Sequence, residues 1–190
     1  LVQTFPLVEE KDDLDIRVLE ELYAKIKDLD ERAINGIWAR IIKNAFASLF
    51  CGQFDYVAGN PPWVSWHSLP SEYRDSIVPL WLKYGLFGEP EKGRLVGPRS
   101  QADLSILMMY TSIDNYLPKG GRIGFVITQS LFKTETGGRG FRQFKLSSGE
   151  PLKVTYVDDM VGLQPFEGAT NRTSVIIVER GATTQYPVPY

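Results

Sequence analysis

Residues 60–63 read Asn-Pro-Pro-Trp, and this short turn concentrates the usable chemistry of the chain. The Asn60 side chain ends in an amide oxygen that accepts hydrogen bonds. Pro61 forces Asn60 into an extended backbone. Pro61 and Pro62 have fixed φ and no N–H, so the turn is stiff and offers carbonyls rather than donors. The Asn60 oxygen and a neighbouring proline carbonyl can together accept both hydrogens of one –NH2 group. Trp63 adds a flat face for stacking a planar ring. Two acceptors beside a stacking face suit an exocyclic amine on a heterocyclic base. The structural alternative is a proline-rich turn that ends in a core tryptophan.

Such a turn acts only where other elements hold it. Phe54, Tyr56, Val57 and Ala58 form a short apolar run, the pattern of a buried strand, and Gly59 ends it. The turn then lies just past a strand's carboxyl end, where open α/β sheets bind ligands. Upstream, residues 1–10 read as an irregular lead-in. Residues 13–34 read as a helix with Leu14, Val18, Leu22, Ile26 and Leu29 near one face and Asp12 or Asp13 as cap. Asn35-Gly36 breaks it, and residues 37–50 resume a helical pattern. Downstream come a loop over 64–70, a helix over 71–84 kinked by Pro79, and a glycine- and proline-rich loop over 85–100. A strong helix over 102–117 and a Lys119-Gly120-Gly121 turn follow. Residues 122–129 form a second buried strand. Gly137 to Gly140 is a flexible loop, and a helix starts within 141–146. Residues 152–158 and 173–179 are two further strands. Their apolar runs suit burial on both faces.

Composition narrows the class. At 190 residues the chain has room for one domain with a real core. Hydrophobic residues at 43% and charged ones at 23% are ordinary globular values. One cysteine, Cys51, and one histidine, His67, exclude a disulfide framework and a multi-cysteine or multi-histidine metal site. No apolar run has membrane-spanning length and no signal peptide is evident. His67 reads as a loop residue, and the Asn171-Arg172-Thr173 sequon has no secretory context. The net charge of −2 does not by itself mark a nucleic-acid binder. Acid is concentrated in residues 9–31, while Lys133, Arg139, Arg142 and Lys145 lie in a stretch without it.

Asn60-Pro61-Pro62-Trp63 after its strand resembles the catalytic motif of S-adenosylmethionine-dependent amino-methyltransferases. The longer text from Leu49 to Val64 is similar to the adenine-specific DNA methyltransferase part of bacterial restriction–modification and related phage-defence enzymes. Further matches follow in order. Ala102-Asp103-Leu104-Ser105 opens the helix that leads to Gly120-Gly121-Arg122-Ile123-Gly124-Phe125-Val126-Ile127. The stretch from Leu163-Gln164-Pro165-Phe166-Glu167-Gly168 to Ile177 resembles the family's last motif. The match spans roughly residues 37–180, and its Asp103 point is weak, because an acid at a helix start serves as a cap on its own account.

The resemblance implies an α/β fold: part of a Rossmann-like methyltransferase domain, its C-terminal half, with a mixed sheet and helices. The chain is then one domain, with a helical lead-in over 1–50 and the recognisable motifs over 54–180. The 173–179 strand should run antiparallel between the 122–129 and 152–158 strands. Asn60, Pro61, Pro62 and Trp63 are the implied catalytic residues, and Trp63 and Phe166 would clamp the target base. Lys133, Arg139 and Arg142 are candidates for DNA phosphate contacts, with solvated loop charge as the alternative. No metal is implied. The partner would be double-stranded DNA with a flipped adenine, and the setting the cytoplasm of a bacterium or archaeon.

One departure bears on the cofactor. In the family, S-adenosylmethionine sits on a glycine-rich turn and a ribose-binding acid contributed by the first strands. No such text precedes residue 54, and no Gly-x-Gly-x-x-Gly or phosphate-binding loop occurs elsewhere. The expectation is an incomplete cofactor site. Upstream cofactor-binding strands and a downstream target-recognition domain of the same protein would complete it, and the isolated chain would be inactive. Glutamine-amide or RNA methylation, and a degenerate non-catalytic DNA-binding or assembly subunit, remain alternatives.

Overall fold

The structure, a computed structural model, describes residues 13–32, 37–87, 102–134, 138–163, 165–166 and 171–190. The 1–10 lead-in, the Asn35-Gly36 break and most of the 85–100 loop lie outside them. The chain divides into two compact units, Leu1–Gly52 and Gln53–Tyr190.

The first unit contains α1 (Asp13–Glu31) and α2 (Ile37–Phe50). On α1, Leu22, Ile26 and Leu29 are half-buried while the other described side chains are exposed. Their spacing of four and three residues is the expected helical stripe.

The second unit is built on a four-stranded sheet. Its strands are β1 (Tyr56–Gly59), β2 (Arg122–Thr128), β3 (Leu152–Asp159) and β4 (Thr173–Arg180), in the order β1-β2-β4-β3. β1 and β2 are parallel, and β4 is antiparallel to both β2 and β3. The insertion of β4 between β2 and β3 is as expected. It brings the carboxyl ends of β1, β2 and β3 and the start of β4 to one edge of the sheet. Between β1 and β2 come α3 (Ser71–Lys83), which contains Pro79, and α4 (Leu104–Tyr116). A one-turn helix, α5 (Ser130–Lys133), follows β2.

Burial differs from expectation in two places. Ile123, Phe125 and Ile127 of β2 are buried, while Gly124 and Val126 between them are half-buried. The register sets Ile123 against Val178 and Phe125 against Ile176, so the buried positions share one face. That face packs with α4, whose Ile106, Met109, Tyr110 and Ile113 are fully buried. One face is therefore core, not both. β1 is also not a buried strand. Tyr56 is 77% exposed, because β1 lies at the sheet edge with β2 as its partner. The helix expected within 141–146 is a single 3-10 turn at Phe141–Gln143, stopped by Phe144 in the left-handed region at φ 43°.

Arg180 joins the sheet to α4. One guanidinium nitrogen donates to the carbonyls of Ile113, Asp114 and Leu117 at 3.2, 3.1 and 2.6 Å. The Ile113 carbonyl also accepts the Leu117 N–H at 3.3 Å, while those of Asp114 and Leu117 lie at the end of α4, where helix carbonyls run out of main-chain donors. The other nitrogens donate to Glu150 Oε2 at 3.2 and 3.0 Å. Both side chains are about five-sixths buried, at 16% and 15% exposure. Arg180→Ala leaves the helix carbonyls and a buried carboxylate without their cation. It should lower stability by about 3–5 kcal/mol, read as a shift in the urea midpoint at unchanged slope. A change below about 1 kcal/mol would mean that water replaces the guanidinium freely.

Candidate active site

The turn leaves β1 at the carboxyl edge of the sheet. Gly59 is opposite Phe125, and a Cβ on Gly59 would stand 3.1 Å from the Phe125 ring. A side chain at this position would require the Phe125 ring to give way by a few tenths of an ångström. Asn60 and Pro62 are exposed, and Pro61 is buried. Trp63 is half-buried, and its indole N–H donates to the Val126 carbonyl of β2 at 3.1 Å.

The chain beyond the turn is pinned to the start of α4. The Leu104 N–H donates to the Val64 carbonyl at 2.9 Å, and the Trp66 N–H to the Ala102 carbonyl at 2.8 Å. Ser65 and Asp103 form an isolated bridge between them. Asp103 caps α4, accepting from the Ser105 N–H at 2.9 Å. It also accepts a long 3.5 Å contact from the Thr128 hydroxyl at the end of β2. Only 6% of Asp103 is exposed. Burial raises its carboxyl above the ordinary range, against the lowering effect of the Ser105 N–H and the Thr128 hydroxyl. The cap role read from the sequence is what Asp103 performs here.

Trp63 and Phe166 are brought together, but not as two parallel plates. Their centroids are 5.1 Å apart with the ring planes at 79°, an edge-to-face contact. A base held between two rings needs them parallel and two van der Waals separations apart, roughly 7 Å. His67 is exposed on a 3-10 turn at Trp66–Ser68.

The three basic candidates have different surroundings. Arg139 is exposed. Arg142 donates from one nitrogen to the Leu131 and Thr134 carbonyls at 2.8 and 2.9 Å, which closes the end of α5. Lys133 donates to Gln129 Oε1 at 2.8 Å. Gln129 is buried just past β2 and donates its amide to Asp159 Oδ2 at 2.8 Å and to the Tyr190 hydroxyl oxygen at 2.7 Å. The Tyr190 hydroxyl in turn donates to Asp159 Oδ2 at 3.1 Å. The tail bearing Tyr190 runs beside β3, and the Val157 N–H donates to the Pro189 carbonyl at 3.0 Å. Sequence reasoning missed this network, which joins residues distant along the chain. The polar Thr128-Gln129-Ser130 run directly after an apolar strand was its one local signal.

Residues 4–161 match the Eco57I restriction-modification methylase family. The chain belongs to that family, and its class is that of the methyltransferases. The methyl donor of such enzymes is S-adenosylmethionine. No curated protein matches the chain. Among solved structures, it resembles a Listeria monocytogenes protein provisionally assigned to the class I S-adenosylmethionine-dependent methyltransferases. That likeness has a TM-score of 0.47 at 14% identity and covers 74% of this chain but 36% of the other. The strand order and the family together identify the sheet as part of the Rossmann-like methyltransferase fold.

Among the described residues no group of three or more His, Cys, Asp or Glu can hold a metal, and no helix is long and apolar enough to cross a membrane.

The Asp159 carboxyl is held below its ordinary range, first by the Val161 N–H and then by Tyr190, Gln129 and the nearby Lys133. A carboxyl lowered in the fold contributes its stabilisation above the ordinary Asp range near 4, and loses it as pH falls through the lower folded value. Tyr190 should therefore be released only in acid. NMR of the Tyr190 ring is expected to show one titration below pH 4, absent in Asp159→Asn. A Tyr190 signal flat from pH 6 to pH 2 would mean that the tail is held independently of this carboxylate.

Proposed function

We propose that this chain is the catalytic part of a DNA methyltransferase that modifies the exocyclic amine of adenine within a restriction–modification or related defence enzyme. The observation that carries this reading is the Asn60-Pro61-Pro62-Trp63 turn at the carboxyl edge of the sheet, with Asn60 exposed and the tryptophan tied to β2. The family supports methylation in a restriction–modification setting, and the chemistry of the turn favours an amine on a planar ring.

The adenine amine is buried in duplex DNA, so the base must rotate out to reach this edge. Trp63 offers it one face. The Trp63–Phe166 contact leaves no gap between the rings, so the base enters as Phe166 gives way and then closes on the second face. Stacking of this kind contributes roughly 1–3 kcal/mol per base. The Asn60 amide oxygen and the Pro61 carbonyl accept the two amine hydrogens. This draws electron density onto nitrogen and aims its lone pair. Bound S-adenosylmethionine would supply the methyl group: the new C–N bond replaces the donor's C–S bond, the sulfur leaves as a neutral thioether, and the methylated nitrogen gives its surplus proton to water. The rate then comes from orientation and fixed dipoles, with no metal or histidine base required. Lys133 and Arg139 are the basic groups offered to phosphates. Arg142 is the weaker candidate, since one of its nitrogens is committed to carbonyls.

In this reading, strands and a target-recognition domain elsewhere in the same cytoplasmic protein complete the donor and DNA sites. The 190-residue chain should then show no saturable S-adenosylmethionine binding in calorimetry at micromolar concentrations. Tight binding would put the donor site within these residues.

The turn itself is tested in the full-length protein. Asn60→Ala removes one polarising acceptor and leaves the prolines and Trp63 in place. Methyl incorporation should fall about 10²–10³-fold, with DNA affinity nearly unchanged. Trp63→Ala should weaken retention of the flipped base as well as the rate, visible with 2-aminopurine at the target position. If the turn is purely structural, both variants lose activity only in proportion to folded protein. Near-normal methylation by well-folded Asn60→Ala would overturn the proposal.

A further inference from the structure

The hydrogen bond from Trp63 to β2 occupies a place in the sheet ladder that the sequence has left vacant. The Arg122 N–H donates to the Asp55 carbonyl at 2.9 Å, so the even-numbered residues of β2 turn their N–H and C=O groups toward β1. The odd-numbered residues turn theirs toward β4. Gly121 accepts from Arg180 at 3.0 Å, and Gln129 donates to Arg172 at 2.9 Å. In a parallel pair a residue whose groups face the partner donates to the residue before its opposite number and accepts from the residue after it. The register runs from Tyr56 opposite Arg122 to Gly59 opposite Phe125. One step further sets Asn60 opposite Val126. The N–H due at the Val126 carbonyl is then that of residue 61, which is proline and has none.

We infer that the Trp63 indole N–H replaces the ladder donor that Pro61 lacks, and that this bond makes Trp63 a positioning residue as well as a stacking plate. The inference rests on the proposed function and adds a requirement to it. Without this donor the Val126 carbonyl would lose its partner where the strand ends, at half-buried Val126. With it, two links define the turn. The main chain enters from β1, and the side chain of its last residue returns to β2 three residues later. Asn60 lies between these anchors. Its freedom to tilt is limited by a bond made on a residue that does not itself polarise the amine. Tyrosine or phenylalanine at position 63 would keep a flat ring but has no donor at the indole nitrogen's place. The site is thus specific for tryptophan, for a reason independent of stacking.

The test exchanges one group of one ring. In the full-length protein, Trp63 is replaced by 3-benzothienylalanine, which keeps the bicyclic shape and stacking face but has sulfur in place of N–H. The rate of methyl transfer at saturating DNA and donor should fall about fivefold to tenfold. KM for DNA and the 2-aminopurine signal of the flipped base should stay within twofold, and the melting temperature within a few degrees. Pro61→Ala returns a main-chain N–H that competes for the Val126 carbonyl. In that background the sulfur replacement should cost less than twofold further. A sulfur-substituted enzyme with unchanged kcat would overturn the inference, as would losses that multiply in the Pro61→Ala background. If Asn60→Ala abolishes transfer while the sulfur variant is normal, the proposed function stands and only this inference fails. If Asn60→Ala is itself normal, the underlying reading fails first.

Discussion

The Asn60 turn, the cap of α4 and the Gln129 network are all held to β2, or to the residue after it, by hydrogen bonds. On one edge β2 accepts β1 in parallel, which sets where the Asn60 turn leaves the sheet. On the other it accepts β4 in antiparallel register along its whole length, which brings Thr173 and, through β3, Asp159 to the same end. The three further ties at that end also reach β2 or the residue after it: Trp63 to Val126, Asp103 to Thr128, and Gln129 to Asp159 and Tyr190. A shift of β2 by one residue would invert its buried face and move all of these together. The core supports this register. Ile123, Phe125 and Ile127 share one buried face with Val178 and Ile176, against an α4 with little polar surface on its inner turns.

Local features of this frame were legible in the residues, and relations across the sheet were less so. The four strands and α3 and α4 announce themselves by apolar runs and turn residues, because burial and the strand period act over a few positions. The Asn60 turn was legible because proline restricts its own φ and that of its neighbour whatever lies around it. The place of β4 between β2 and β3 came from resemblance, since nothing in residues 173–180 themselves specifies a neighbour. Exposure of β1 was misjudged for a related reason. An apolar run shows that a strand can be buried, whereas its position in the sheet decides how much of it is.

The candidate site divides in the same way. Asn60, Pro61, Pro62 and Trp63 are contiguous, so their chemistry could be read together. Phe166 was reached only by resemblance, and the structure brings it to Trp63 edge-on rather than as a facing plate. Gln129, Asp159 and Tyr190 could not be read as a network, because a buried glutamine bonded to groups 30 and 61 residues away leaves no local trace of its partners beyond the polar Thr128-Gln129-Ser130 run itself. Arg142 reads in the sequence as a candidate phosphate contact or a solvated loop charge, whereas one of its nitrogens closes a short helix. A basic residue beside a glycine-rich loop has no sequence signature that separates those uses.

The central claim is that the exposed turn after β1 presents a heterocyclic amine for methylation, and that the amine belongs to adenine in DNA. It is tested most directly by finding where the methyl group goes. The full-length protein is incubated with duplex DNA, RNA and a cell extract in the presence of methyl-deuterated S-adenosylmethionine, and the products are digested and resolved by mass spectrometry. The expected product is deuterated N6-methyladenine in DNA, with label absent from cytosine, RNA and protein glutamine. Deuterated label in a protein amide or in RNA, with DNA adenine unlabelled, would contradict it.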